Sequence, residues 1–222
     1  MNRVNEAVKK EIKYLDSVCH DWAAWDGSCE FMETGSTEYE DGNLSVESFV
    51  TANLNLIYYV KPKGEVYWGK IYDLIDEKEI QLKAFSAENF SKTYKAIRWV
   101  HGSFGSPADL YKRGILLTEK GPLMLAARPI ITSENKGPLR GTIIMGRFLN
   151  ESVLNRLRKE TEVNFNLHVC DQELSSGLQQ VAEQIISSAK HIVKKQKDNL
   201  FIYDSFPSIQ DVPAFLTEVI FP

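Results

Sequence analysis

Residues 121–149 read GPLMLAARPIITSENKGPLRGTIIMGRFL. Two apolar runs, 123–131 and 142–149, flank the polar, turn-rich segment 132–138, TSENKGP. Runs of that length on either side of such a connection predict an antiparallel hairpin. Each strand carries one arginine among apolar neighbours, Arg128 and Arg147. A guanidinium keeps its proton, so it must reach water, a carboxylate or an anionic ligand. Two arginines on neighbouring strands therefore mean either a salt-bridged core or an anion-facing pocket.

Upstream, residues 55–60 and 65–72 flank the turn Lys61-Pro62-Lys63-Gly64 and predict a second hairpin. It is rich in aromatics: Tyr58, Tyr59, Tyr67, Trp68 and Tyr72. Successive strand side chains alternate faces, so Tyr58 and Tyr59 cannot both point inward. Aromatic side chains with polar tips line pockets and also fill sheet edges. Further strands are expected at 114–118, 163–170, 200–203 and 214–221. Helical spacing covers 87–100, 150–161 (Asn150 or Glu151 near its cap) and 174–195. Residues 49–54 read as a short helix or turn, 34–43 as a polar connection, and 101–107 as a glycine-punctuated loop. Strands adjacent in sequence are joined by short turns. The fold class is therefore α+β with a mainly antiparallel sheet, not a doubly wound parallel one.

Val4, Val8, Ile12, Leu15, Cys19, Trp22, Trp25 and Cys29 recur at steps of three or four. That is a helix with one buried stripe, over residues 1–33. Such a helix would be ~45 Å long, so its N-terminal half is expected to project and pair with a second copy. At its end, Trp22 and Trp25 share a face beside Asp26. They form either an aromatic anchor with Asp26 as a local cap, or a pocket wall with Asp26 as counter-charge.

The 222 residues carry a net charge of −4, which argues against a nucleic-acid face. The basic run 190–197 reads as the solvated end of a helix. Three cysteines, Cys19, Cys29 and Cys170, make no disulfide framework. On one helix Cys19 and Cys29 would lie ~15 Å apart. No apolar run approaches the ~20 residues needed to cross a bilayer. There is no GxSxG, CxxC, HExxH or P-loop, and the consecutive Cys19-His20-Asp21 fan apart on a helix. No cofactor, metal or catalytic residue is expected. A small hydrolase using Asp26 as base is the weakest alternative.

Several residues together resemble the CHASE4 domains, extracytoplasmic sensory modules of bacterial and archaeal histidine kinases, diguanylate cyclases and related receptors. They are Trp25-Asp26 followed by Phe31, Gly64-Glu65-Val66, Gly69 through Tyr72, Gly114-Ile115-Leu116, Gly121-Pro122 and Ala126-Ala127-Arg128-Pro129-Ile130. Ser133, Gly137-Pro138, Arg140-Gly141-Thr142 and Met145-Gly146-Arg147 continue the pattern. Asp211-Val212-Pro213-Ala214 looks like the family's Asp-Ile-x-Gly-x-Pro-Ala segment, shortened. Cys29 and Lys61-Pro62 depart from it.

The resemblance implies a Cache/PAS-like sensor, one domain over 1–222 with a helix at 1–33 and an α/β body at 50–222. It implies a non-enzymatic piece of a membrane receptor, cut from between two membrane-spanning segments, that signals as a homodimer through its first helix. The expected ligand contacts are Tyr58 or Tyr59, Trp68, Arg128 and Arg147, with Trp25 and Asp26 closing the site. An anionic or zwitterionic small molecule suits the two arginines. The rival reading is a constitutive dimerisation or partner-protein module, in which both arginines simply pair with acids.

Overall fold

The computed structural model describes residues 2–99, 106–170, 174–188 and 191–221. Four helices open the chain: α1 (Asn2–Ala23), α2 (Asp26–Thr34), α3 (Thr37–Asn43) and α4 (Val46–Ala52). Strands β1 (Leu56–Val60), β2 (Val66–Asp73) and β3 (Lys78–Glu79) lead to α5 (Phe90–Ile97). Then come β4 (Lys112–Thr118), β5 (Gly121–Ile130), β6 (Gly141–Phe148) and α6 (Glu151–Thr161). The chain closes with β7 (Phe165–Val169), α7 (Ser176–Ser188), β8 (Ile192–Gln196), β9 (Asn199–Pro207) and β10 (Pro213–Phe221).

The strands form two sheets, ordered β3-β2-β1-β6-β5-β4 and β7-β10-β9-β8. Every pairing between named strands is antiparallel. The expected hairpins are present, with Tyr59 opposite Trp68 in one and Arg128 opposite Ile143 in the other. An α+β fold with a long first helix against an antiparallel sheet is what the patterning predicted, and a Cache/PAS-like arrangement of it is what the resemblance implied.

The first helix differs from expectation in two ways. It stops at Ala23, because Ala24 forms a parallel bridge with Ile131 and the Ile131 N–H donates to the Ala23 carbonyl at 2.9 Å. Trp25 is extended (φ −139°, ψ 132°) and starts α2 as a separate helix. Backbone hydrogen bonding to a distant strand outcompetes continuation of a helix whose local sequence permits it. Nor does the N-terminal half project. Val4 and Val8 are fully buried, as are Leu15 and Cys19 further along. The stripe belongs to one buried cluster that draws on both sheets, Phe206, Phe215 and Val219 of the second and Met124, Ala126, Ile143 and Met145 of the first. Early in the helix Asn5 donates to Asp204 and accepts from the Thr217 hydroxyl of the second sheet, and later Cys19 lies 3.6 Å from the Ala126 carbonyl of the first.

Three other segments depart from the reading. Residues 34–43 contain α3, capped by Ser36, whose Oγ accepts from the Tyr39 N–H. The helix expected at 174–195 ends within α7, and 192–196 is edge strand β8, paired with β9 from Ile192–Tyr203 to Gln196–Asn199. Most of the loop expected at 101–107 lies outside the described residues.

Candidate functional site

The two faces of the six-stranded sheet are built differently. On the face covered by α1, charge meets charge. Asp16, one residue past the apolar Leu15, is 2% exposed and receives Arg128 bidentately, Nε to Oδ1 at 2.7 Å and Nη2 to Oδ2 at 2.8 Å. Arg113 of β4 adds Nη1 to Oδ2 at 2.6 Å, and Arg128 Nη1 also donates to the Ala108 carbonyl. Arg147, 5% exposed, donates to the Asn53 and Ala52 carbonyls at 2.6 and 3.2 Å, closing the C-terminus of α4. Its Nη1 lies 3.8 Å from Glu11, which Arg156 holds at 2.7 Å. Burial pulls the Arg147 pKa down, and Glu11 opposes that pull.

The remaining expected contacts on this face are also occupied. Tyr59 is fully buried, with its hydroxyl 2.9 Å from that of Tyr39 and 3.5 Å from Ser28 Oγ. Burial drives its pKa well up. Trp68 Nε1 donates to Glu40 at 2.7 Å. Trp25, 39% exposed, lies against the Tyr39 ring. Asp26 and Ser133 exchange two bonds of 3.1 Å, each backbone N–H donating to the other's side chain. Asp26 therefore clamps α2 to the β5–β6 connection. Burial pushes the Cys19 and Cys29 thiols up, away from the thiolate a nucleophile needs.

The opposite face holds Tyr58. Its ring lies directly over Gly69, where a Cβ would come within 2.6 Å of it. Phe85 and Phe90 pack at 5.0 and 5.8 Å, and Phe90 stacks in turn on Tyr94 at 5.7 Å. Burial and the nearby Glu79 push the Tyr58 pKa up to about 12. Two clefts flank this aromatic row. One, of about 270 Å³, runs between Tyr58, Glu79, Gln81 and Ser86. The other, of about 480 Å³, is lined by Pro62, Tyr94, Arg98, Trp99, Leu139 and Thr142. Tyr94 and Thr142 share a 2.9 Å hydroxyl contact at its wall. Arg98 is exposed, and no ion pair holds its guanidinium among the described residues.

The seven residues singled out from the sequence thus do not converge on one cavity. Tyr58 borders open space; Tyr59, Trp68, Arg128 and Arg147 share the α1 side, and Trp25 and Asp26 start α2. Tyr94, Arg98 and Thr142 were not singled out. A trace of them existed in Tyr94 and Arg98, four apart on an amphipathic helix that leads into a glycine-rich segment. Among the described residues no group of His, Cys, Asp and Glu could hold a metal ion, and no helix is long and apolar enough to cross a membrane.

One face of the six-stranded sheet is thus packed by α1 and the other bears clefts. The CHASE4 domain profile matches residues 7–168. The chain belongs to the CHASE4 domain family. This CHASE4 domain is 20% identical over 218 residues to the methanogenesis regulatory histidine kinase FilI of Methanothrix harundinacea, covering 97% of the chain. It spans 23% of that kinase's length. In fold it is similar to the extracellular domain of vpHK1S-Z8, with a TM-score of 0.61 at 10% identity, covering 99% of this chain and 90% of that one. It is also similar to the periplasmic domain of Vibrio cholerae LuxQ, with a TM-score of 0.54 at 12% identity over 99% and 93% of the two chains. The CHASE4 domain is an extracytoplasmic sensory module of a signalling receptor.

Proposed function

We propose that this CHASE4 domain binds a small anionic or zwitterionic molecule in the cleft beside α5, and that occupancy is passed through α1 to a histidine kinase. The observation that carries the reading is the guanidinium of Arg98, exposed and without an ion pair among the described residues, at the rim of a cleft of about 480 Å³. That volume lies within the ~300–1,000 Å³ of small-molecule sites, and an arginine beside aromatic rings suits a carboxylate. In this reading Tyr94 and Thr142 add hydroxyls, and Tyr58 borders the adjoining smaller cleft. Trp25, Asp26, Tyr59, Trp68, Arg128 and Arg147 act behind the sheet, coupling its movement to α1 and α2.

Signalling as a homodimer is part of the proposal. The apolar stripe of α1 is consumed within its own chain, so a partner would meet the outward residues Lys10, Lys13, Tyr14 and Ser17, of which Tyr14 is 59% exposed. A ligand shifts such a pair only by binding its two arrangements with different affinity.

The test is a thermal-shift screen against small carboxylates and amino acids, repeated with Arg98→Ala. A ligand near 100 times its Kd stabilises by ~2.7 kcal/mol. A hit that disappears in the variant supports the reading. A hit that survives it rejects this cleft. A flat screen favours a constitutive partner-binding module, a reading consistent with the complete pairing of Arg128 and Arg147 with acids and carbonyls.

A further inference from the structure

A third recess lies at the seam between the two sheets. It has a volume of about 330 Å³ and is formed by Lys9 and Ile12 of α1, Lys112, Arg113 and Gly114 of β4, and the β9–β10 corner with Phe206 and Ile209. The corner is fastened to β4: the Ile209 N–H donates to the Ile115 carbonyl at 2.6 Å, and Gly114 leaves just enough room for the Ile209 side chain. The floor is apolar, from Ile12, Phe206 and Ile209.

The rim is cationic. Asp16 answers two guanidiniums at once, and Arg113 spends only Nη1 on it while its side chain remains 30% exposed. Lys112 has no ion pair among the described residues, and Lys9 is held only by the exposed Glu6. Among the described residues Asp211 is the one carboxylate lining the recess. Lys9, Lys112 and Arg113 line the recess against Asp211, while Glu6 pairs with Lys9 and Asp16 is shared between Arg113 and Arg128, which leaves an excess positive charge beside an oily floor.

We propose that this seam is a second binding site, for a short aliphatic carboxylate. The headgroup is held by Lys9, Lys112 and the free donors of Arg113, and the chain lies on Ile12, Phe206 and Ile209. Such a ligand touches α1 and both sheets, so it ties together parts that the cleft beside α5 does not reach. The volume, near the lower end of small-molecule sites, selects short chains.

The experiment is isothermal titration with hexanoate, set against hexanol and acetate. Removing Asp16 or Arg113 would disturb the fold, so the variant is Lys9→Gln combined with Lys112→Gln, both outside the buried pair. The expected result is saturable binding of hexanoate, weakened about tenfold in the double variant, with hexanol and acetate each at least about tenfold weaker. Arg98→Ala leaves it unchanged. No saturable binding, equal affinity for hexanol, or an unaltered Kd in the double variant overturns the proposal. Loss in Arg98→Ala in place of the double variant places hexanoate in the cleft beside α5, which overturns the seam site while supporting the first one.

Discussion

Tyr58 and Tyr59 are neighbours in the chain and opposites in the structure. Tyr59 ends in a buried hydroxyl cluster with Tyr39 and Ser28, under α1 and α2. Tyr58 stacks among phenylalanines on the other face, with its edge toward a cleft. The contrast extends to the whole sheet. On the α1 side the charges and hydroxyls singled out above have partners inside the chain, and ordering them stabilises the fold. On the α5 side open volume remains beside an arginine that has no ion pair among the described residues. In the proposed reading the first side transmits and the second receives.

The largest test of that contrast is Asp16→Asn. It leaves two guanidiniums facing an amide, and breaking a buried pair from one side costs ~3–5 kcal/mol. Urea unfolding should show the loss, and a change under ~1 kcal/mol would mean the α1 side is not held by this cluster. The same variant should lower stability without depending on any added ligand.

Next comes Glu218 of the second sheet, which asks whether buried charge is structural there too. Burial pushes its carboxyl up, but hydrogen bonds from Asn166, Tyr203 and His168 outweigh that and leave it below the usual 4.5. A depressed folded pKa contributes stability that is present above the unfolded value and lost as pH falls through the folded one. Glu218→Gln should therefore cost ~1–2 kcal/mol at neutral pH and flatten the loss of stability below pH ~4.5. Parallel acid-unfolding curves for the two proteins would contradict this.

Smaller effects separate the tyrosines themselves. Tyr59→Phe removes a hydroxyl that Tyr39 and Ser28 use, for a loss of ~1 kcal/mol. Tyr58→Phe and Arg98→Ala touch no intramolecular hydrogen bond described above and should stay within ~0.5 kcal/mol of the parent. If Tyr58→Phe proved the costlier of the two tyrosine variants, the assignment of faces would be reversed.

Much of this was legible beforehand because it is local. Period-two alternation separated Tyr58 from Tyr59, and turn residues at 61–64 and 132–138 set both hairpins and their antiparallel pairing. The steps of three and four from Val4 to Cys19 marked the buried stripe, whose members are at most 5% exposed. The same periodicity carried the helix too far. Nothing local says that Ala24 will pair with Ile131, because that bridge depends on where β5 runs.

The chemistry of the site was less legible for the same reason. Arg128 and Arg147 required an anion or a pocket on physical grounds, and the sequence alone left both open. Their answers, Asp16 and Glu11, lie more than a hundred residues away on the flank of the α1 stripe. The hint was a carboxylate directly beside the buried positions Leu15 and Ile12. How each arginine is committed is settled only by packing: α1 covers one sheet face and satisfies Arg128 and Arg147 there, while α5 leaves Arg98 at the edge of open space. Covalent order and side-chain periodicity thus determined most of the elements and the antiparallel pairing of both hairpins, and the order of short motifs along the chain carried the family. The break in the first helix, the division into two sheets and the choice of which charges are spent inside the fold were decided by long-range contacts, whose energies no local window contains.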